Sequence, residues 1–139
     1  MTDWDTRRDT RAPITVQVKV RVNPAMRETV QLAKEAVEAQ MVDISLLGFG
    51  MTCSIYLPKG VLIDIQLPRT ALATPTPPPE GASPAEGIMP ITGQIMYTRP
   101  QDKLCRMGIV ITQLSEPDKK LVEHFVSQNE RRRAPRAPL

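Results

Sequence analysis

Residues 13–22, PITVQVKVRV, alternate apolar and polar side chains along most of their length. Successive side chains of a strand point to opposite faces, so Val16, Val18, Val20 and Val22 share one face and Gln17, Lys19 and Arg21 the other. The run reads as a half-buried strand. MTCSIYL (51–57) repeats the pattern, with Met51, Cys53, Ile55 and Leu57 on one face. VLIDIQL (61–67) follows after Pro58-Lys59-Gly60, a turn signal that predicts a hairpin between the two runs. ITGQIMYT (91–98) and LCRMGIVIT (104–112) predict a second strand pair, joined across RPQDK. Short strands separated by turn signals imply an antiparallel sandwich or barrel.

Three segments depart from this pattern. Residues 28–42, ETVQLAKEAVEAQMV, carry helix-forming Ala, Lys and Glu, yet VQL and VEAQMVDIS also fit strands of a meander. Residues 73–86, ATPTPPPEGASPAE, are dense in proline, which removes backbone donors and favours an extended, solvated loop. Residues 116–129 predict a helix: Ser115 caps it, Pro117 suits its first turn, and Glu116 and Asp118 oppose its dipole. Its stripe of Leu121, Val122, Phe125 and Val126 is expected to pack on the mouth of the barrel. The expected layout is a flexible arm over 1–12, a domain over 13–129 and a basic disordered tail over 130–139.

The chain of 139 residues carries a net charge of +3, placed mostly at its ends: Arg7, Arg8 and Arg11 near the start, and Arg131, Arg132, Arg133 and Arg136 near the finish. Basic ends around a balanced middle point to local anion capture more than to a broad nucleic-acid face. One Trp, two Tyr and two Phe are too few for a single-strand stacking platform. No run has the apolar length of a membrane span, and MTDWDTRRDT has no signal-peptide core, so a cytoplasmic protein is expected. There, Cys53 and Cys105 are expected as reduced thiols. Enzyme chemistry finds little support. His124 is the sole histidine, two separated cysteines make a poor metal site, and GFG lacks the lysine and helix start of a phosphate loop. The chain reads as a binder, with neither a catalytic residue, a metal nor a resident cofactor expected.

The informative stretch is VDISLLGFG, residues 42–50. Asp43 and Ser45, spaced two apart, would share a strand face, and the glycines permit a tight turn or a close approach. The two polar residues could cap that turn or grip a ligand. A second motif supplies context: RRDTR places Arg7 and Arg11 with three residues between them, ahead of the valine-alternating strand. Arg-x-x-x-Arg followed by Asp-x-Ser-x-x-Gly, inside an all-β pattern with a C-terminal helix, resembles the PilZ domain family. The resemblance runs from about Arg7 to Val126.

That resemblance implies an all-β fold, a six-stranded antiparallel barrel with a C-terminal helix, that binds the bacterial second messenger cyclic di-GMP. It implies a ligand site of Arg7, Arg11, Asp43, Ser45 and Gly48, to which Arg8 is added as an adjacent spare that could share the phosphates. The chemistry is apt: guanidinium forks suit phosphates and the O6/N7 edge of guanine, and a carboxylate accepts from guanine N1 and N2. Ser45 would bond a phosphate or base edge, and Gly48 would clear the ligand's path. The arm would fold over the messenger and signal to a separate effector protein, in motility, pilus, biofilm or virulence control. Monomer and dimer are equally compatible. The alternatives are a PilZ-like adaptor that acts without the ligand and a small nucleic-acid binder using the basic ends.

Overall fold

The computed structural model describes residues 11–24 and 36–133, with side chains through 129. Six strands are present among them: β1 (Ala12–Val22), β2 (Val37–Ile44), β3 (Gly48–Cys53), β4 (Leu62–Pro68), β5 (Ile88–Gln101) and β6 (Leu104–Gln113). One helix follows, α1 (Glu116–Arg133). The strands close into an antiparallel barrel in the order β1-β2-β3-β6-β5-β4. Closure leaves no unpaired sheet edge among the described strands.

The alternation in β1 is realised as expected. Val18, Val20 and Val22 are buried, while Gln17 and Lys19 are exposed. Fully burying each such valine is worth about 1.5–3 kcal/mol. Phe49, Met51, Ile63, Ile65, Ile91, Ile95, Met107 and Ile109 complete the interior from the other strands.

The ambiguous segment resolves in part. Residues 37–44 form β2, against their helix propensity, because Val37, Ala39 and Met41 all face the core. Residues 28–35 lie outside the described residues.

The hairpin expected between 51–57 and 61–67 does not form. β3 ends at Cys53 and pairs with β2 and β6, whereas β4 pairs with β1 and β5. The turn signal at 58–60 is real, with Gly60 at φ 93°, but it serves a crossover. The Gly60 N–H donates to the Ile95 carbonyl at 2.7 Å, and the Ile95 N–H to the Val61 carbonyl at 3.0 Å, which binds the connection to β5. Leu57, fully buried, plugs the core from that loop. The second expected pair does form: β5 and β6 are neighbours. They join through Asp102-Lys103, with Asp102 at φ 58° in the left-handed region that a two-residue turn demands.

Ser115 caps α1, its Oγ accepting from the Asp118 N–H at 3.3 Å. Leu121 and Val122 are buried, with Phe125 and Val126 packed beside them. The helix continues to Arg133, past the expected end at 129. The proline-rich loop is fastened to α1. Ser83 N–H donates to the Pro117 carbonyl at 3.0 Å, and the His124 ring bonds Thr74 Oγ1 at 3.1 Å and the Thr76 carbonyl at 2.9 Å. His124 thus has structural partners. Arg69 forks onto Asp118 at 2.9 and 3.2 Å, and Ser83 Oγ donates to the same carboxylate at 2.6 Å.

Candidate ligand site

β1 and β2 pair so that Pro13 lies opposite Asp43, which brings Arg11, just ahead of β1, to the same end of the barrel. The orientation of Asp43 depends on an irregularity. Val37, Ala39 and Met41 point inward, and continued alternation would send residue 43 inward as well. A register shift between Met41 and Asp43 opposite β3 breaks the parity. Ile44 takes the core position, and Asp43 turns to the outer face. Such bulges re-aim side chains at functional sites.

Among the described residues, three donors converge on the Asp43 carboxylate. Oδ1 accepts from Arg11 Nη1 at 2.9 Å and from the Gly50 N–H at 2.8 Å. Oδ2 accepts from Arg106 Nη2 at 3.0 Å. Arg106 reaches Asp43 by lying across Gly50, where a Cβ would sit 2.5–3.0 Å from its guanidinium. The row continues outward: Gly50 faces Gly108, and Gly108 faces Tyr97, whose ring rests over the bare glycine. Arg99 stacks on Tyr97 at 5.5 Å from the ring centroid. The result is a carboxylate flanked by two guanidiniums on an outer face floored by glycine. Such a set can accept a donor edge at the carboxylate and hold anionic groups beside it.

Burial by itself pushes the Asp43 carboxyl upward, but the hydrogen bonds from Arg11 and Arg106 outweigh it and hold the group below the usual aspartate range. A carboxyl lowered by folding contributes stability that is complete above its unfolded value of about 3.9 and is lost as pH falls through the lower, folded value. Urea midpoints measured from pH 6 to 2.5 are therefore expected to drop mainly below pH 4. The Asp43→Asn variant should show a shallower decline than the wild type, and parallel curves would refute this linkage.

The other expected site residues fall differently. Arg7 and Arg8 lie outside the described residues. Ser45 was expected on the outer face beside Asp43, but β2 ends at Ile44 and Ser45 sits in the turn, fully buried. Its Oγ accepts from the Leu47 and Gly48 N–H groups and donates to the Gly48 carbonyl, each at 3.2 Å. Of the two roles open to it from sequence, the structure displays the capping one. Gly48 is buried, and a Cβ there would collide with the Ile109 carbonyl oxygen of β6. The close approach it permits in the structure is therefore that of two strands. Sequence reasoning took Gly50, with Gly48, as a glycine permitting a tight turn or close approach; it missed the Gly50 N–H bond to Asp43, and it missed Arg106 altogether. The one available signal was an arginine two residues before Gly108 in an otherwise apolar strand; only the β3–β6 register sets it against Asp43.

A model of the PilZ domain family matches residues 5–128. The chain belongs to the PilZ domain family. No curated protein matches it in sequence. Among solved structures, this PilZ domain is similar to the Bacillus subtilis inhibitor of motility MotI/DgrA, with a TM-score of 0.64 and 8% identity over 89% of this chain and 50% of that one. The chain thus spans about half of that protein's length. It is also similar to the PilZ domain of Escherichia coli YcgR determined with c-di-GMP, at TM-score 0.54 and 13% identity over 88% of this chain and 89% of that one. At these identities the likeness establishes the fold: a PilZ barrel carrying a C-terminal helix.

Proposed function

We propose that this PilZ domain is a cyclic di-GMP receptor of the cytoplasm, acting on an effector protein in the control of motility or surface attachment. The observation that carries the reading is the Asp43 carboxylate, turned outward by the β2 bulge and bracketed by Arg11 and Arg106. Guanine offers N1–H and N2–H donors side by side, which a carboxylate accepts in pairs, and the messenger's two phosphates call for cations beside it. Arg11 is one such cation, and Arg7 and Arg8 are the others. Ser45 and Gly48 belong to the site through the turn that ends β2; in this reading they shape it. Fellow PilZ proteins support the assignment: the YcgR domain is a c-di-GMP complex, and MotI is an inhibitor of motility. Binding involves no bond chemistry, and its output is a moved arm that an effector can read.

The test is isothermal titration with cyclic di-GMP, with cyclic di-AMP and GTP as controls. Adenine lacks the paired donors that Asp43 accepts, so cyclic di-AMP should bind weaker by about 1–3 kcal/mol for each base recognised. Arg11→Ala should weaken cyclic di-GMP by about 1–2 kcal/mol, because the guanidinium fork on the phosphates is lost while only the single Arg11 bond to Asp43 is relieved in exchange, with circular dichroism unchanged. No heat with cyclic di-GMP would end the receptor reading in favour of an adaptor acting through protein contacts alone. An Arg11→Ala variant of unchanged affinity would remove Arg11 from the site.

A further inference from the structure

We infer that Arg106 is the positioning residue of this site: it anchors the Asp43 carboxylate to the sheet while Arg11 exchanges that carboxylate for the nucleotide. The inference deepens the receptor reading and rests on it.

The valence of the carboxylate limits what can bind it at one time. Two oxygens offer about four acceptor positions. Arg11 and the Gly50 N–H occupy Oδ1, and Arg106 occupies one position of Oδ2. A guanine edge presents two parallel donors and needs one position on each oxygen. Oδ2 has one to give. Oδ1 must release a donor first, and its two donors are not alike. The Gly50 amide belongs to the backbone of β3, between β2 and β6, and cannot leave without parting the sheet. Arg11 precedes the first strand, and its side chain is 35% exposed. Arg11 is therefore the donor that departs, and it departs toward the phosphates.

Arg106 has no such freedom. Its side chain is 16% exposed and laid over Gly50, in a hollow that any other residue would fill. It reaches Oδ2 from β6, across β3, and so ties three strands at the point of recognition. Once Arg11 has left, Arg106 and the Gly50 amide hold the carboxylate in place. Among the described residues, the charged groups that bond Asp43 are Arg11 from the chain before β1 and Arg106 from β6; β3 contributes an uncharged amide. Arg106 is thus the cation that keeps Asp43 ionised during the exchange, which matters because a protonated carboxyl accepts one donor fewer.

The experiment uses the full chain and three variants, Arg106→Gln, Arg106→Lys and Arg11→Gln. In protein without nucleotide, the Asp43 carboxyl carbon is followed by NMR through an acid titration. Its midpoint should rise in R106Q and rise less in R106K. Titrated with cyclic di-GMP at pH 7, R106Q should bind about tenfold weaker, the scale of one lost charge-assisted bond. The deficit should widen toward pH 5 while wild-type affinity stays flat, and R106K should recover part of the loss. After nucleotide addition the Asp43 midpoint should become insensitive to R11Q yet remain sensitive to R106Q. Equal affinities of wild type and R106Q across this pH range would overturn the inference. So would an Asp43 midpoint unmoved by R106Q, a result that needs no nucleotide and separates failure here from failure of the receptor reading. If R106Q does not fold, R106K carries the test, and a midpoint identical to wild type overturns the inference.

Discussion

Asp118→Ala is expected to destabilise the domain by about 3–5 kcal/mol, the scale for breaking a buried ion pair by removing one partner. Asp118 is 2% exposed, and Arg69 holds it with two donors on a side chain that is itself 20% exposed. Alanine would leave that guanidinium with the Glu86 carbonyl, at 3.3 Å, as its remaining side-chain bond among the described residues, and would take the acceptor from the Ser83 hydroxyl. The damage would spread because the same carboxylate joins the 3-10 turn at Arg69–Leu72, the proline-rich loop and the first turn of α1. Urea denaturation measures the loss. Arg69→Met combined with Asp118→Leu should recover most of it, since removing both charges lifts the desolvation cost that a single removal exposes. A loss below about 1 kcal/mol in the single variant would show that water reaches Arg69 and that the pair is a surface feature.

Gly48→Ala should be nearly as harmful, by about 3 kcal/mol, at the upper end of the range for overpacking. The added methyl would meet the Ile109 carbonyl oxygen, a backbone atom with no rotamer to yield, so β3 and β6 would have to separate. The prediction discriminates between two roles. If Gly48 only cleared room for a ligand, alanine would lower affinity and leave the urea midpoint in place. The structure requires the midpoint to fall first, and binding assays on this variant need that correction before any loss is assigned to the site.

These residues also mark how far the sequence could be read. The valines of β1, the Ser115 cap and the all-β class are local properties, written in alternation and in one capping side chain, and the structure reproduces them. The strand pairing was not local. Pro58-Lys59-Gly60 marks a turn but carries nothing about where the next strand goes, and closing six strands sent it across the barrel to β1 and β5. The same limit applies to the site. Arg11 and Asp43 were legible as motif positions. Asp43 faces outward through a bulge, which strict alternation cannot foresee, and Arg106 joins it through a cross-strand register 63 residues away. The proline-rich loop read as solvated because its composition shows few partners; its anchors, Arg69 and Asp118, lie outside it or on the helix.

The pairing of Pro13 with Asp43 has a consequence for sensitivity. Arg11 is tied two residues from the strand position that faces its own acceptor, so the two meet as parts of one chain. Short links of this kind give local concentrations in the millimolar range. A nucleotide arriving at Asp43 thus competes with an internal rival that is permanently present, and a stray single donor at cellular levels loses that contest. What prevails is a molecule that satisfies both carboxylate oxygens and also gives the displaced arginine a new home. The spacing between arm and strand thereby acts as a threshold, fixed by the covalent chain itself.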